Sequence, residues 1–389
     1  MGISAGAWML GSWATSDYPS MTSLNQTLWK LTEENDLWDW NIIKRYPTIL
    51  KAYNEKKDAG FPTSIVDLWG RLLSYHFIND PPLLKEQIGG KRVLWSSIKE
   101  TSNYKNHSFP FIVAVSVSRP GIRKPVEITN PLYEYSSEDF SVWNPRLNAS
   151  IPIEFLGSSP EARTNRSESC VRAFDNAGFV MGLSSNIYSF IPNTFQGLGA
   201  STTGEIFPDS QMENILMADG GMAHENIPLF PLLNPSRNLE AIIAIDSVNP
   251  NGRSLYNTYL KTQLPEYSGY QFPRIPNAID GTFKELGYTQ RPTFFGCNGT
   301  FPMPLIIYLP NYNAVAVTNI ATHQTTYSPD TINNFFSNGF AIATQSAGPN
   351  IDPQWSTCLA CAIIDRQLKK SGMNHPQSCK DCFLRYCAN

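Results

Sequence analysis

Charge is scarce in this chain. Asp, Glu, Lys and Arg make up 16% of its 389 residues, and the formal net charge is −3. Without a basic surplus, nucleic acid is not a partner, and no basic run offers electrostatic attachment to a membrane surface. Long hydrophobic runs are missing too. Leu305-Ile306-Ile307-Tyr308-Leu309 and Ala241-Ile242-Ile243-Ala244-Ile245 have strand length, far below the roughly 18 residues a membrane span needs. The first ten residues lack the basic opening of a secretory signal. The end, Cys387-Ala388-Asn389, is not the hydrophobic tail that is exchanged for a lipid anchor. Histidine is rare: His76, His107, His224, His323 and His375 are the full set, and none sits in a distinctive motif. No internal repeat or low-complexity stretch occurs.

What is present reads as a folded, loop-rich globule. Apolar residues reach 42% and aromatics 12%, with nine Trp and 29 Pro. The length suits one large domain or two ordinary ones. Residues 5–14 are small and apolar, as expected of a buried helix after a turn. Ser64–Leu73 has apolar positions at helical spacing, and Cys358–Lys370 reads as a helix closed by Gly372. Phe111–Val117, Ile215–Ala218, Ala241–Asp246, Pro304–Leu309 and Ala314–Thr318 read as strands. The last two flank the turn signal Pro310-Asn311-Tyr312-Asn313 and are expected to form a hairpin. The fold class is α/β, a mixed central β-sheet with surrounding helices and long loops.

Two features point to a secretory history. Five N-x-Ser/Thr acceptors occur, at Asn25, Asn106, Asn148, Asn165 and Asn298. Seven cysteines occur: Cys170, Cys297, Cys358, Cys361, Cys379, Cys382 and Cys387. Cys358-x-x-Cys361 and Cys379-x-x-Cys382 are separated by seventeen residues, a spacing that fits a zinc ribbon as well as disulfides. The acceptor sites and the additional Cys387 favour disulfides, which require an oxidising compartment. An odd total leaves one thiol over.

Gly2-Ile3-Ser4-Ala5-Gly6 fits G-x-S-x-G, the elbow that carries a nucleophilic serine. Such a serine sits on a tight strand-to-helix turn. Small residues two before and two after it avoid a clash, and the N–H groups of the following helix favour developing negative charge. A chain of this length has about a one in ten chance of such a match at random. A serine nucleophile needs a base. Asp219, in Leu216-Met217-Ala218-Asp219-Gly220-Gly221, follows an apolar strand and precedes two glycines that leave its carboxylate uncrowded. In a dry setting its pKa would rise, making it a better base. An ordinary Asp-Gly turn is the competing reading of the same residues. The order Ser4, Asp219, His323 also fits an α/β-hydrolase triad, and a non-catalytic secreted glycoprotein is a third possibility.

Several stretches together resemble the fungal lysophospholipase/phospholipase B catalytic domain. They are Trp69-Gly70-Arg71 with Leu73-Ser74-Tyr75, Phe174-Asp175-Asn176-Ala177-Gly178-Phe179 and Asp219-Gly220-Gly221 with Glu225-Asn226-Ile227-Pro228-Leu229. Ala241–Asp246, Pro292–Cys297, Leu309–Tyr312 and the cysteine-rich end 355–389 extend the likeness. The resemblance implies a single catalytic domain over 1–389 with the fold of the cytosolic phospholipases and patatin. It implies a Ser–Asp dyad of Ser4 and Asp219 without histidine, and an oxyanion held partly by the backbone N–H of Ala5. Phospholipids and lysophospholipids at a membrane or micelle surface are the implied substrates, with no metal or cofactor. A secreted or cell-surface, N-glycosylated enzyme with disulfides is implied as well. Two departures stand out. Ala5 and Ala7 replace a Gly and a Ser of the usual G-L-S-G-G-S, and a Gly-rich segment with an arginine that precedes the nucleophile in the family has no room before Met1. On that ground the chain is expected to be a truncated form with weak activity or none.

Overall fold

A computed structural model of the chain describes residues 1–32, 47–78, 93–107, 109–116, 126–158, 171–185, 189–192, 208–247, 253–321 and 324–388. The chain forms two compact units, Met1–Ala223 and His224–Asn389.

In the first unit, local sequence chemistry sets the helix starts. Helices α1 (Ala5–Thr15), α2 (Met21–Thr27), α3 (Pro47–Asp58) and α4 (Ile65–Phe77) come first. Ser20 caps α2 by accepting the Ser23 N–H. A capping box of Ser64 and Asp67 opens α4, satisfying two N–H groups that a helix start otherwise leaves bare. Strands β1 (Phe111–Ser116), β2 (Leu132–Ser136), β3 (Asp139–Asn144) and β4 (Leu147–Pro152) follow, then α5 (Ala177–Ser184), β5 (Ser189–Pro192) and β6 (Asn214–Ala218). They build one sheet in the order β4-β3-β2-β1-β6-β5, with antiparallel neighbours throughout. Burial falls toward one edge. β2 is buried at every position, β3 alternates, and β4 is exposed at every second residue, as an edge strand should be.

Helix α5 is buried along its whole length. It lies against α4 so closely that a Cβ on Gly178 would collide with the Gly70 carbonyl oxygen and the Ser74 hydroxyl. This explains why Trp69-Gly70-Arg71 and Ala177-Gly178-Phe179 carry glycine at helical positions that otherwise disfavour it. Val66, Leu73, Phe77, Trp95, Ile112, Ala114, Tyr133, Tyr135, Val180 and Met181 belong to one apolar core around this contact.

The second unit holds β7 (Ala241–Asp246), helices α6 (Tyr256–Lys261) and α7 (Thr282–Glu285), β8 (Thr293–Phe295), β9 (Leu305–Pro310), and helices α8 (Pro329–Thr344), α9 (Trp355–Lys370) and α10 (Gln377–Tyr386). Its sheet runs β7-β9-β8, with β7 parallel and β8 antiparallel to β9. All six residues of β9 are buried. Three disulfides staple the unit: Cys297–Cys387, Cys358–Cys382 and Cys361–Cys379. The last two join α9 to α10 crosswise, so the sulfurs of the two C-x-x-C pairs are bonded to one another. Buried ion pairs of Lys261 with Glu225 and of Arg366 with Asp365 add polar anchors.

The strands expected at 111–117, 215–218, 241–246 and 304–309 are present within a residue or so. The hairpin is not. Residues 314–318 form no strand, because the Asn338 carboxamide on α8 accepts the N–H groups of Ala314, Val315 and Ala316 at 2.8, 3.0 and 3.3 Å. One buried side chain thus takes the donors that a β-ladder would have used.

Candidate active site

The sheet register brings two chain segments head to head. Gly2 bridges Ile112 in parallel, with Gly2 N–H donating to Phe111 O at 3.0 Å and Val113 N–H donating to Gly2 O at 2.9 Å. Further along the same strand, Ala218 of β6 lies opposite Val115 in antiparallel register. Residues 1–3 therefore run along β1 toward its C-terminus, while β6 runs the opposite way. The two meet beside the middle of β1, and there the chain leaves the sheet at Ser4 on one side and Asp219 on the other.

Ser4 turns abruptly into α1. Its φ of 55° and ψ of −131° are costly for a residue with a Cβ. Gly2 makes the turn possible, since a Cβ there would lie 2.5 Å from the Gly6 carbonyl oxygen. Gly6 differs from the expectation. A Cβ built on it meets nothing within 4 Å, so the tight approach is made by its carbonyl and not by its α-carbon.

The Ser4 hydroxyl donates to Asp219 Oδ2 at 2.5 Å. The other carboxylate oxygen accepts the Gly221 N–H at 2.6 Å, which the glycine turn makes reachable. Burial pushes the Asp219 carboxyl above its ordinary value of 3.8, and the bonds from Ser4 and Gly221 pull against that rise. The arrangement can therefore deliver a serine proton directly to a carboxylate of enhanced basicity.

The N–H groups of the elbow have distinct partners. Gly6 N–H donates to Ile3 O and Ala7 N–H to Ser4 O, both at 2.9 Å. Ser4 N–H is shared between the Ser184 hydroxyl at 3.0 Å and the Ser184 carbonyl at 3.3 Å. Ala5 N–H, at the exposed first position of α1, has no acceptor among the described residues. It stands at the positive end of the helix dipole, a setting that favours a negatively charged acceptor.

Among the histidines of the first unit, His76 is buried with Nδ1 2.9 Å from Lys30 O, and the His107 ring stacks on Tyr18 at 4.5 Å. Both are engaged away from Ser4. His323, Cys170 and Asn165 lie outside the described residues. Of the other acceptor asparagines, Asn106, Asn148 and Asn298 are exposed, and Asn25 is half-buried on α2. The residue that sequence reasoning missed is Ser184, a hydroxyl closing the otherwise apolar run Ala177–Leu183. That break in hydrophobicity was its only signal.

Comparison with known proteins fits this geometry. The family described as lysophospholipase catalytic domain matches residues 1–191 and 186–389. A lysophospholipase of Arthroderma benhamiae is 33% identical over 444 residues, covering 99% of this chain and 67% of its own length. Lysophospholipase 1 of Candida albicans is 32% identical, with 99% of this chain and 71% of its own length covered. In structure, human GIVD cytosolic phospholipase A2 aligns with a TM-score of 0.56 at 13% identity, over 89% of this chain and 60% of that one. That likeness is one of fold. The chain belongs to the lysophospholipase catalytic-domain family, which places it among the carboxylic ester hydrolases.

Proposed function

We propose that the chain hydrolyses fatty-acyl esters of lysophospholipids and phospholipids through Ser4 and Asp219. The observation that carries the reading is the 2.5 Å bond from the Ser4 hydroxyl, on its strained strand-to-helix turn, to the half-buried Asp219 carboxylate. Asp219 takes the Ser4 proton as the oxygen attacks the ester carbonyl. The oxyanion that forms accepts a hydrogen bond from Ala5 N–H. The tetrahedral intermediate collapses, the C–O bond to the glycerol oxygen breaks, and that oxygen leaves with the proton held by Asp219. Water, deprotonated by the same carboxylate, then attacks the acyl-serine, and fatty acid is released as Ser4 recovers its proton.

Support for treating 1–389 as one catalytic domain, with 355–389 as its cysteine-rich end, is that a single family description runs over the whole chain. The substrate is met at a membrane or micelle surface, because its acyl chain is buried in one. No helix among the described residues is long and apolar enough to cross a membrane. Three disulfides suit an oxidising compartment, and the exposed Asn106, Asn148 and Asn298 suit glycan attachment, so a secreted or cell-surface enzyme is part of the proposal. Ser4→Ala is expected to abolish fatty-acid release from lysophosphatidylcholine and covalent labelling by a fluorophosphonate probe. Labelling at another serine, with turnover intact, would refute the assignment.

A further inference from the structure

We infer that Ser184 is a positioning residue for the nucleophile, its hydroxyl standing in for the ladder rung that the elbow breaks. The inference rests on Ser4 being the nucleophile and adds a second residue to its machinery.

The register defines the missing rung. In a parallel ladder the bonds alternate, and Gly2 makes its pair with Phe111 O and Val113 N–H. The next bond in the series would run from Ser4 N–H to Val113 O. It does not form, because Ser4 has turned out of the strand with φ 55°. The Ser184 hydroxyl occupies the gap. It accepts from Ser4 N–H at 3.0 Å and donates to Val113 O at 2.6 Å. Ser184 is itself fully buried at the end of α5. A buried hydroxyl that accepts from the Ser4 turn and donates to β1 has its donor and acceptor functions both committed and is satisfied in one orientation only.

Two consequences follow for the chemistry. The spacer holds Ser4 N–H away from Val113 O, so the residue cannot relax into an ordinary strand conformation that would swing its hydroxyl off Asp219. It also commits Ser4 N–H to α5, which leaves oxyanion binding to Ala5 N–H. Removing the hydroxyl leaves Ser4 N–H with only the longer bond to the Ser184 carbonyl at 3.3 Å and leaves Val113 O without its donor, and direct bonding between Ser4 N–H and Val113 O would flatten the elbow.

The test compares Ser184→Ala, Ser184→Thr and Ser184→Val in the full chain. Thr and Val are nearly equal in volume and differ in the hydroxyl. Fluorophosphonate labelling of Ser4, hydrolysis of lysophosphatidylcholine and the pH profile are read on folded protein. Ser184→Ala and Ser184→Val should label and turn over about tenfold to a hundredfold more slowly, with KM little changed. Their acid limb should move to higher pH, because Asp219 loses the Ser4 bond that holds its pKa down. Ser184→Thr should recover most of the rate and the original limb. Equal rates and limbs for Thr and Val would overturn the inference and leave Ser4 as nucleophile intact. Wild-type protein that cannot be labelled at Ser4 would sink the proposed function and this inference together.

Discussion

The two units hold themselves together by different means. Residues 1–223 contain a single cysteine, Cys170, so no disulfide can close within them. Their order comes from apolar packing, from the glycine contact between α4 and α5, and from hydrogen bonds such as those of Ser184. Residues 224–389 carry three disulfides and fully buried ion pairs. Ser4, whose turn is strained, lies in the unit without covalent staples. Strain at the Ser4 turn is sustained there by close-packed neighbours that leave it no alternative conformation.

Asp219→Asn breaks the comparison most severely, because it separates activity from stability. An amide cannot take the Ser4 proton, so fatty-acid release should fall by more than about a thousandfold. Stability should move the other way. Asp219 has a folded pKa above its ordinary value of 3.8. It therefore binds its proton more tightly folded than unfolded. Its contribution to stability is fully present below the unfolded value and is lost as pH rises through the folded one. At neutral pH the neutral amide avoids the cost of a desolvated charge, and thermal unfolding should show a higher Tm than wild type. The same shift places the acid limb of kcat/KM above pH 3.8. A limb at or below that value would mean that Asp219 is not the base.

Removing the longest staple is the next largest change. Cys297→Ser with Cys387→Ser opens a link across 90 residues, which typically costs about 2–5 kcal/mol. Hydrogen exchange should show lost protection in β8 and α10, the elements that flank these cysteines, while amides of α4 and α5 keep theirs. Equal loss in both sets would mean that the units do not differ in what stabilises them.

Gly178→Ala is the counterpart in the first unit. Its new methyl collides with the Gly70 carbonyl and the Ser74 hydroxyl, so α5 must shift away from α4. Overpacking of this kind costs about 1–3 kcal/mol. Since Ser184 ends the same helix, labelling of Ser4 should slow as Tm falls. Unchanged labelling in the folded protein would show that the elbow does not depend on the position of α5.

These comparisons also show where the sequence was legible. Helix α4 could be read because its apolar positions keep helical spacing. The turns at Ser4 and Asp219 could be read because glycines stand within two residues of each. Strand β2 could not, since Leu132-Tyr133-Glu134-Tyr135-Ser136 is buried on both faces and shows no alternation. The expected strand at 314–318 failed on a long-range bond, the Asn338 carboxamide. Helix α8, with Asn333 and Asn334 in its second turn, offers weak propensity and is recognisable mainly from its Ser328 cap and Pro329. Ser184 was hidden for the same reason as Asn338. A polar side chain whose partners are 71 and 180 residues away leaves no local pattern.

Gly6 gives the smallest expected effect and the sharpest contrast with Gly2. Both belong to the G-x-S-x-G pattern, yet only Gly2 is required by space. At Gly2 an added methyl would meet the Gly6 carbonyl at 2.5 Å, so Gly2→Ala should disrupt the elbow. At Gly6 the methyl meets nothing, and the residue lies in the first turn of α1, where Ala is a better helix former than Gly. Gly6→Ala should therefore leave Tm unchanged or raise it slightly, a gain of up to about 1 kcal/mol. If the glycine matters, it matters by keeping the exposed side of the turn open beside Ser4. Turnover of lysophosphatidylcholine would then fall while labelling by a small fluorophosphonate stays normal. A fall in Tm comparable to that of Gly2→Ala would instead mean that the second glycine, like the first, is there to form the turn.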